Sequence, residues 1–205
     1  MTAGGLRLSV LRPGVTLYLI RHGETDWNRE QRYQGQTDIA LNDTGLAQAH
    51  RNGLAMRQLL PEIANADFVS SPLSRAVETT KILMKALGVS EQGYRLEPEL
   101  QELHYGHWEG HLAADLITTD PDGVAAKAKD PYGWRPQGGE SYSDLNDRIA
   151  KWLATVERDT VAISHGGVSR VARGAVLGLA TELVPMLEVP QDKVLVLRDG
   201  KMHWL

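Results

Sequence analysis

The stretch Val15–Asn28, VTLYLIRHGETDWN, decides the fold of this 205-residue chain. Its first six residues are β-branched, aromatic and aliphatic, which predicts a short strand buried on both faces. The strand ends at Arg21, His22 and Gly23, and open α/β sheets bind ligands at the carboxyl ends of their strands. Arginine offers a planar fork to phosphate oxygens, and glycine lets backbone N–H groups approach an anion. The motif therefore predicts phosphate chemistry at His22, although three residues alone also fit an ordinary strand-to-loop transition.

Length, charge and composition favour one globular domain with a small-molecule partner. The chain of 22.6 kDa has a net charge of −4, and its charged residues are interspersed. Nucleic acids and anionic membranes need a concentrated positive surface, so we expect neither as a partner. No apolar stretch approaches the roughly 20 residues that span a bilayer, and cysteine is absent. We therefore expect a cytoplasmic protein with a single domain over residues 1–205, and the oligomeric state stays open.

Strands alternate with helices along the chain. We predict helices over residues 42–60, 71–87, 140–156 and 168–177, with Ser71 as the cap of the second helix and Pro72 at its first position. Further strands are predicted over residues 67–71, 94–98 and 161–163. The final segment, residues 193–205, alternates around Asp199–Gly200, which is a hairpin signal. This order predicts an α/β fold with three layers, α/β/α, around a mostly parallel central sheet.

Residues 111–139 form a long segment that is rich in helix breakers. After a short helical piece, the breakers are Pro121, Gly123, Pro131, Gly133, Pro136, Gly138 and Gly139. A connection of this length inside a compact domain is usually functional. We therefore expect a lid or specificity insert over about 111–139.

Two of the predicted strands end on histidine followed by glycine, in LIRHG (residues 19–23) and ISHGG (residues 163–167). Parallel strands place their carboxyl ends on one edge of the sheet, so His22 and His165 are expected to meet there. A neutral imidazole nitrogen can attack phosphorus and form a phosphohistidine. One ring would then be the nucleophile and the other a clamp. Two capping or core histidines are the alternative.

Arg75 is predicted to be a second phosphate contact. It follows the end of the second strand, in SPLSRAVET, near the start of a helix. A helix N-terminus attracts anions, and arginine adds a bidentate donor. An arginine on an exposed helix is usually a solvated charge, but the position after a strand end favours a binding role.

Five ordered motifs between Leu17 and Val171 resemble those of the histidine phosphatase superfamily, which includes the cofactor-dependent phosphoglycerate mutases. They are RHGETDWN, YQGQTDIALNDTG, SPLSRAVET, ELHYGHWEG and SHGGVSR. The resemblance implies a phosphoglycerate mutase-like fold and a phosphorylated histidine intermediate. It also implies a small phosphorylated substrate and no metal or other cofactor, since side chains would supply the positive charge around the transferred oxygens.

The resemblance also implies a role for each matching position. His22 would be the phosphorylated nucleophile and Glu102 the proton donor. The groups that grip the phosphoryl oxygens would be Arg21, Arg75 and His165. The implied substrate-binding positions are Asn28, Gln34, Gly35, Tyr105 and Gly166.

The choice between hydrolase and mutase depends on residues around HYG (residues 104–106). Mutases resemble one another in having a lysine eight residues after this tyrosine and paired arginines in the insert. Here the lysine position is Ala113, and the cations of the insert are isolated. Losing cations that would bind a second anionic group favours release of the substrate, and WEG and SHGG look like the phosphatase branch, which includes alpha-ribazole phosphatases. The sequence HYG itself, however, resembles that of mutases and favours the mutase alternative.

We therefore predict metal-independent phosphomonoester hydrolysis on a small phosphorylated metabolite. A cofactor-dependent phosphoglycerate mutase is the first alternative. A catalytically weak phosphate-binding module is the second.

Overall fold

A six-stranded sheet forms the centre of the protein in a computed structural model that describes residues 11–205. The first ten residues of the predicted domain lie outside the described residues. The strands are β1 (Leu17–Arg21), β2 (Asp67–Ser70), β3 (Arg95–Leu96), β4 (Thr160–Ser164), β5 (Val194–Arg198) and β6 (Lys201–Trp204). Their order is β3-β2-β4-β1-β5-β6. Strands β1 to β4 are parallel to one another, β5 is antiparallel to β1, and β6 is antiparallel to β5. The predicted mostly parallel α/β sheet is confirmed.

Helices cover both faces of this sheet. They are α1 (Asp26–Arg29), α2 (Asp43–Leu59), α3 (Ser74–Leu87), α4 (Ala113–Thr119), α5 (Pro121–Lys129), α6 (Tyr142–Leu153) and α7 (Gly166–Leu177). Short 3-10 helices cover Ile63–Asn65, Pro98–Leu100, Gly106–Trp108 and Thr181–Met186. Within residues 11–205, no helix has both the length and the apolar character to cross a membrane.

The side chains of β1 explain why helices are needed on both faces. Leu17 and Leu19 belong to a core cluster that also contains apolar residues of α6 and α7. Tyr18 and Ile20 belong to a second cluster with residues of α2 and α3. Successive strand residues point to opposite faces, so an uninterrupted apolar run requires cover on each side. The three-layer prediction is confirmed. The helices cover the two faces of the sheet and leave the carboxyl end of β1 open to a binding site.

The start of α3 differs from the prediction, which gave the cap to Ser71. The helix begins at Ser74, and the carboxylate of Asp38 accepts hydrogen bonds from the Ser74 backbone N–H at 2.9 Å and from its hydroxyl at 2.7 Å. The Ser71 hydroxyl is instead 2.7 Å from Nε2 of His165. A long-range hydrogen bond has therefore replaced the local cap.

The bounds of other elements also differ from the prediction. The third strand was predicted over 94–98, but β3 contains only Arg95–Leu96 because Pro98 begins a 3-10 helix. Helix α7 begins at Gly166 and not at 168, so His165 is its N-cap residue. Within the insert, residues 111–139, the structure has two helices, α4 and α5, where a short helical piece was predicted.

Candidate active site

The two predicted histidines meet at the carboxyl edge of the sheet. Strands β1 and β4 are neighbours, with Arg21 in register with Ser164. The pairing continues past the strand ends, where the His22 N–H donates to the Ser164 carbonyl at 2.8 Å. Both imidazoles are buried, and their ring centroids are 5.1 Å apart. The predicted meeting of the two rings is confirmed.

His22 is held as a neutral ring with one nitrogen free of its proton. Its Nδ1 lies 2.7 Å from the carbonyl oxygen of Gly23, so Nδ1 must carry the hydrogen and Nε2 the lone pair. The Arg75 Nε–H donates to that Nε2 at 3.3 Å. Burial lowers the pKa of His22 well below its ordinary value, and the charges of Arg75 and Arg21 lower it further. The result is an unprotonated nitrogen on the cavity wall.

His165 lies behind His22. Its Nε2 is 2.7 Å from the Ser71 hydroxyl, and its Nδ1 is buried without a hydrogen-bond partner among the described residues. Burial lowers the pKa of His165 well below the usual value, and Arg75 adds to the effect. Ser71 therefore orients a second neutral imidazole next to the first.

Arg75 is held in place by the loop that contains Gly35 and Thr37. Its Nη2 donates to the Gly35 carbonyl at 2.7 Å, and its Nη1 donates to the Thr37 carbonyl at 2.9 Å. Gly35 has a φ of +54°, where side chains are disfavoured. With both terminal nitrogens held by carbonyls, the guanidinium plane keeps one orientation toward Nε2 of His22.

Arg21 presents a buried N–H that no described group accepts. Its Nη1 donates to the Val189 carbonyl at 2.9 Å, while its Nε is buried without a partner. A Cβ at Gly166 would lie 3.7 Å from that Nε. Burial lowers the pKa of the Arg21 guanidinium. An unpaired buried donor is costly unless a ligand accepts from it, and an oxyanion suits it.

Glu102 reaches the site from the loop before the Gly106–Trp108 turn. Its carboxylate accepts from the Leu103 N–H at 2.8 Å and from the Gly167 N–H at 3.0 Å. Arg148 holds the same loop by donating to the Gln101 carbonyl at 2.9 Å. Backbone on both sides therefore fixes the carboxylate at the start of α7, facing the cavity.

These groups surround a cavity of about 140 Å³. Its walls include every predicted site residue except His165: Arg21, His22, Asn28, Gln34, Gly35, Arg75, Glu102, Tyr105 and Gly166. The side-chain amide of Gln34 is buried with both polar atoms unpaired within residues 11–205. An unpaired amide on a cavity wall suits a polar ligand.

Three wall residues were not predicted: Arg32, Tyr33 and Arg170. Arg170 ends the quoted motif SHGGVSR and lies one helical turn after Gly166, a spacing that places both on the same face of α7. Tyr33 packs on Tyr105 with ring centroids 4.7 Å apart. The helical spacing was a usable signal for Arg170, and for Tyr33 the signal was its position at the start of the quoted motif YQGQTDIALNDTG, directly before Gln34.

Glu109, the glutamate of WEG, connects two loops of the site. Its carboxylate accepts from the backbone N–H groups of Gln36, Thr37 and Tyr105, each at 3.0 Å, and from the Thr37 hydroxyl at 2.6 Å. Thr37 in turn supplies a carbonyl to Arg75. Glu109 thus positions the Arg75 guanidinium without reaching the cavity itself.

We expect Glu109→Gln to lower kcat/KM about 10-fold, because an amide cannot accept at both ends and the loop that holds Arg75 would loosen. The free energy of unfolding should also fall, by about 1 to 3 kcal/mol, and the midpoint of urea unfolding should fall with it. Steady-state kinetics and urea titration measure both effects. Glu157→Gln, at an exposed ion pair with Arg12, is the control and should change neither. Unchanged kinetics in Glu109→Gln would contradict the positioning role.

The depressed pKa values of His22 and His165 predict that stability falls with acidification below pH 6.5. In that range the unfolded chain binds protons at both positions and the folded chain does not, so unfolding becomes easier as the pH falls. Each histidine contributes at most about 1.4 kcal/mol per pH unit. Urea unfolding at pH 7.5, 6.5 and 5.5 measures the slope. His22→Asn should make the dependence of stability on pH shallower, because only His165 would still contribute. An unchanged slope in that variant would argue against a neutral buried ring at His22.

Comparison with known proteins agrees with this geometry. Residues 17–204 match the family model of the histidine phosphatase superfamily (branch 1). A glucosyl-3-phosphoglycerate phosphatase from Mycolicibacterium vanbaalenii is 32% identical over 183 residues, covering 83% of this chain and 78% of the relative. A probable phosphoglycerate mutase GpmB from Erwinia tasmaniensis is 32% identical over 196 residues, covering 93% and 88%.

A solved structure extends the likeness to three dimensions. It is that of a mycobacterial glucosyl-3-phosphoglycerate phosphatase in complex with VO3, with 30% identity and a TM-score of 0.75. The match covers 94% of this chain and 96% of the other. The paired histidines, the arginines around them and these matches together lead to one conclusion: the chain belongs to the histidine phosphatase superfamily.

Proposed function

We propose that the protein hydrolyses phosphomonoesters of small metabolites through a phosphohistidine at His22. The observation that carries this proposal is the unprotonated Nε2 of His22, which faces a cavity walled by the guanidinium groups of Arg21 and Arg75. A neutral nitrogen is a nucleophile, and fixed cations stabilise the charge on a transferred phosphoryl group. The phosphatase relatives support the same reaction.

In the first half-reaction, Nε2 of His22 forms a bond to phosphorus while the bond from phosphorus to the ester oxygen breaks. Arg75 exchanges its hydrogen bond to Nε2 for one to a phosphoryl oxygen, and the free Nε–H of Arg21 binds another. His165, oriented by Ser71, completes the clamp. Glu102 gives its proton to the departing alkoxide, which leaves as the alcohol.

In the second half-reaction, the carboxylate of Glu102 takes a proton from water as that water attacks the phosphohistidine. The bond from phosphorus to Nε2 breaks, the lone pair returns to His22, and inorganic phosphate leaves. Glu102 ends protonated, as it began. In this proposal the side chains of the chain supply both the positive charge and the proton transfers.

The insert over residues 111–139 is proposed to act as a lid within a single domain. The Lys127 ammonium on α5 donates to the Tyr33 hydroxyl at 2.7 Å and lies 4.8 Å from the centroid of that ring. The Trp108 indole N–H donates to Asp120 at 2.6 Å, and Trp134 packs on Trp108. The insert therefore supports the ring of Tyr33, which is a wall of the catalytic cavity.

Phosphate release from a panel of phosphorylated metabolites tests the proposal, with p-nitrophenyl phosphate as a general probe. Activity should persist in EDTA, because side chains supply the charge. No release from any ester, despite a folded protein, would favour the phosphate-binding module. Because the chain contains no cysteine, we also propose that it acts in the reducing cytoplasm.

The mutase alternative rests on two observations, the residues HYG and the likeness to a protein named as a probable phosphoglycerate mutase. A mutase would return the phosphoryl group to the sugar acid instead of to water. Incubation with 3-phosphoglycerate, followed for both isomer formation and inorganic phosphate, separates the two. Isomer formation faster than phosphate release would favour the mutase.

A further inference from the structure

Gln191 lies behind the catalytic cavity and bridges two groups of the site. It belongs to the segment between the last of the 3-10 helices and β5, and the same segment supplies the Val189 carbonyl that holds Arg21. The side-chain Nε2 of Gln191 donates one hydrogen bond to the His22 carbonyl and one to Oδ1 of Asn28, each at 3.0 Å. Both hydrogens of this nitrogen are therefore used, and they connect the backbone of the proposed nucleophile to a wall residue of the cavity.

The surroundings of Gln191 impose the orientation of its amide. A backbone carbonyl such as that of His22 can only accept, so the atom that faces it must be Nε2 and not Oε1. The His22 backbone is itself fixed by the sheet, because its N–H donates to the Ser164 carbonyl at 2.8 Å. On the other side, the Gln191 carbonyl accepts from Nδ2 of the buried Asn52 on α2 at 3.1 Å. Gln191 is thus held from two sides and can orient a third group.

Asn28 is the group that Gln191 orients. Its Oδ1 accepts from the Thr25 N–H at 3.2 Å and from Gln191 at 3.0 Å, which uses both lone pairs of that oxygen. The amide cannot turn its oxygen toward the cavity without losing both hydrogen bonds, so Nδ2 is the polar atom that Asn28 offers there. An N–H donor suits a phosphoryl oxygen, whereas an amide oxygen in its place would repel that anion.

The local contact of Asn28 is weaker than the long-range one. The bond from Thr25 belongs to the capping box of α1, a helix of only four residues. A helix this short has little stability of its own, because its hydrogen bonds barely offset the cost of ordering its backbone. The bond from Gln191, which is 163 positions away in the chain, therefore ties Asn28 to the sheet.

We propose that Gln191 is a positioning residue for phosphate binding, which holds the Asn28 amide with its N–H groups toward the phosphoryl oxygens. This inference rests on the proposed function, in which the cavity holds a phosphoryl group next to His22. The partners that orient Asn28 are protein groups and not the ligand, so the donor keeps its direction when phosphate leaves. A donor fixed in this way needs no reorganisation when the next anion arrives.

A double-mutant cycle on phosphate affinity tests the proposal. Gln191→Met removes the N–H donors from a side chain of similar length and should weaken the binding of inorganic phosphate about 10-fold, and Asn28→Ala should weaken it about 30-fold. The double variant should match Asn28→Ala within about 2-fold, because Gln191 acts through Asn28. Gln191→Asn keeps an amide on a shorter side chain and should recover part of the affinity that Gln191→Met loses. Calorimetry measures each dissociation constant.

Gln92→Met is the matched control. Gln92 is exposed in the turn between α3 and β3, outside the walls of the cavity, and its replacement should leave the affinity unchanged. Circular dichroism checks that each variant is folded, and Gln191→Ala takes the place of Gln191→Met if that variant unfolds.

Two results would overturn the proposal. One is a loss in the double variant equal to the product of the single losses, about 300-fold, because Gln191 would then act independently of Asn28. The other is unchanged affinity in Gln191→Met. The cycle needs no turnover, so its failure is distinct from that of the hydrolase function, which is overturned if the wild-type protein binds phosphate but releases none from any ester.

Discussion

Replacing His22 with alanine is expected to reduce phosphate release by a factor on the order of 10⁴ or more. The reason is that Nε2 of His22 is the unprotonated nitrogen on the cavity wall, and the methyl group of alanine cannot attack phosphorus. Removing one ring leaves Arg21, Arg75 and His165 to bind phosphate, so binding of inorganic phosphate should survive. Steady-state hydrolysis of p-nitrophenyl phosphate measures the loss, and calorimetry measures the binding.

Two further measurements make the His22 result specific. Rapid acid-free quenching and mass spectrometry of the wild-type protein should find the phosphoryl group on the peptide that contains His22. His203→Ala, at an exposed position on β6, is the control and should retain full activity. A label on the His165 peptide, or turnover by His22→Ala above about one hundredth of the wild-type rate, would assign the nucleophile elsewhere.

The meeting of His22 and His165 was predictable because it follows from topology. Both residues come directly after short apolar runs, and the ends of parallel strands share one sheet edge. The prediction did not require β1 and β4 to be adjacent, but the structure pairs Arg21 with Ser164 directly. The local sequence pattern was therefore sufficient to predict the positions of residues that are placed by the backbone of the sheet.

Ser71 and Glu109 show where local pattern is insufficient. Ser71 precedes a proline at the end of a strand, which suggested a helix cap, yet its hydroxyl bonds to His165, a residue 94 positions away in the chain. Glu109 accepts from Gln36 and Thr37, more than 70 positions away. Contacts of this kind depend on how loops fold over the sheet edge, and short-range sequence patterns do not encode that arrangement.

The insert was predictable as a segment but not in its structure. Its prolines and glycines suggested irregular chain, whereas Pro121 is at the first position of α5 and the Asp120 carboxylate caps that helix by accepting from Gly123. Proline is favoured at the first helical position because it lacks only an N–H that would have no intrahelical acceptor. The same residue type thus marked the start of a helix and not a break.

Replacing Glu102 with glutamine is expected to lower kcat/KM for an alkyl phosphate about 10³-fold but for p-nitrophenyl phosphate less than about 10-fold. Glutamine keeps an oxygen that can accept from the Leu103 and Gly167 N–H groups, so the loop should stay in place. It has no proton to give an alkoxide. A nitrophenolate leaves without protonation, so its departure does not depend on residue 102.

The two kinetic constants should respond differently, because kcat/KM reports only the steps up to formation of the phosphohistidine. Glu102 also takes the proton from water in the second half-reaction, so Glu102→Gln should lower kcat for p-nitrophenyl phosphate even where kcat/KM is preserved. The phosphohistidine should then accumulate, and a burst of nitrophenolate equal to the enzyme concentration should precede slow turnover. Equal losses of kcat/KM for the alkyl and aryl esters, without a burst, would show that Glu102 shapes the site and does not transfer a proton.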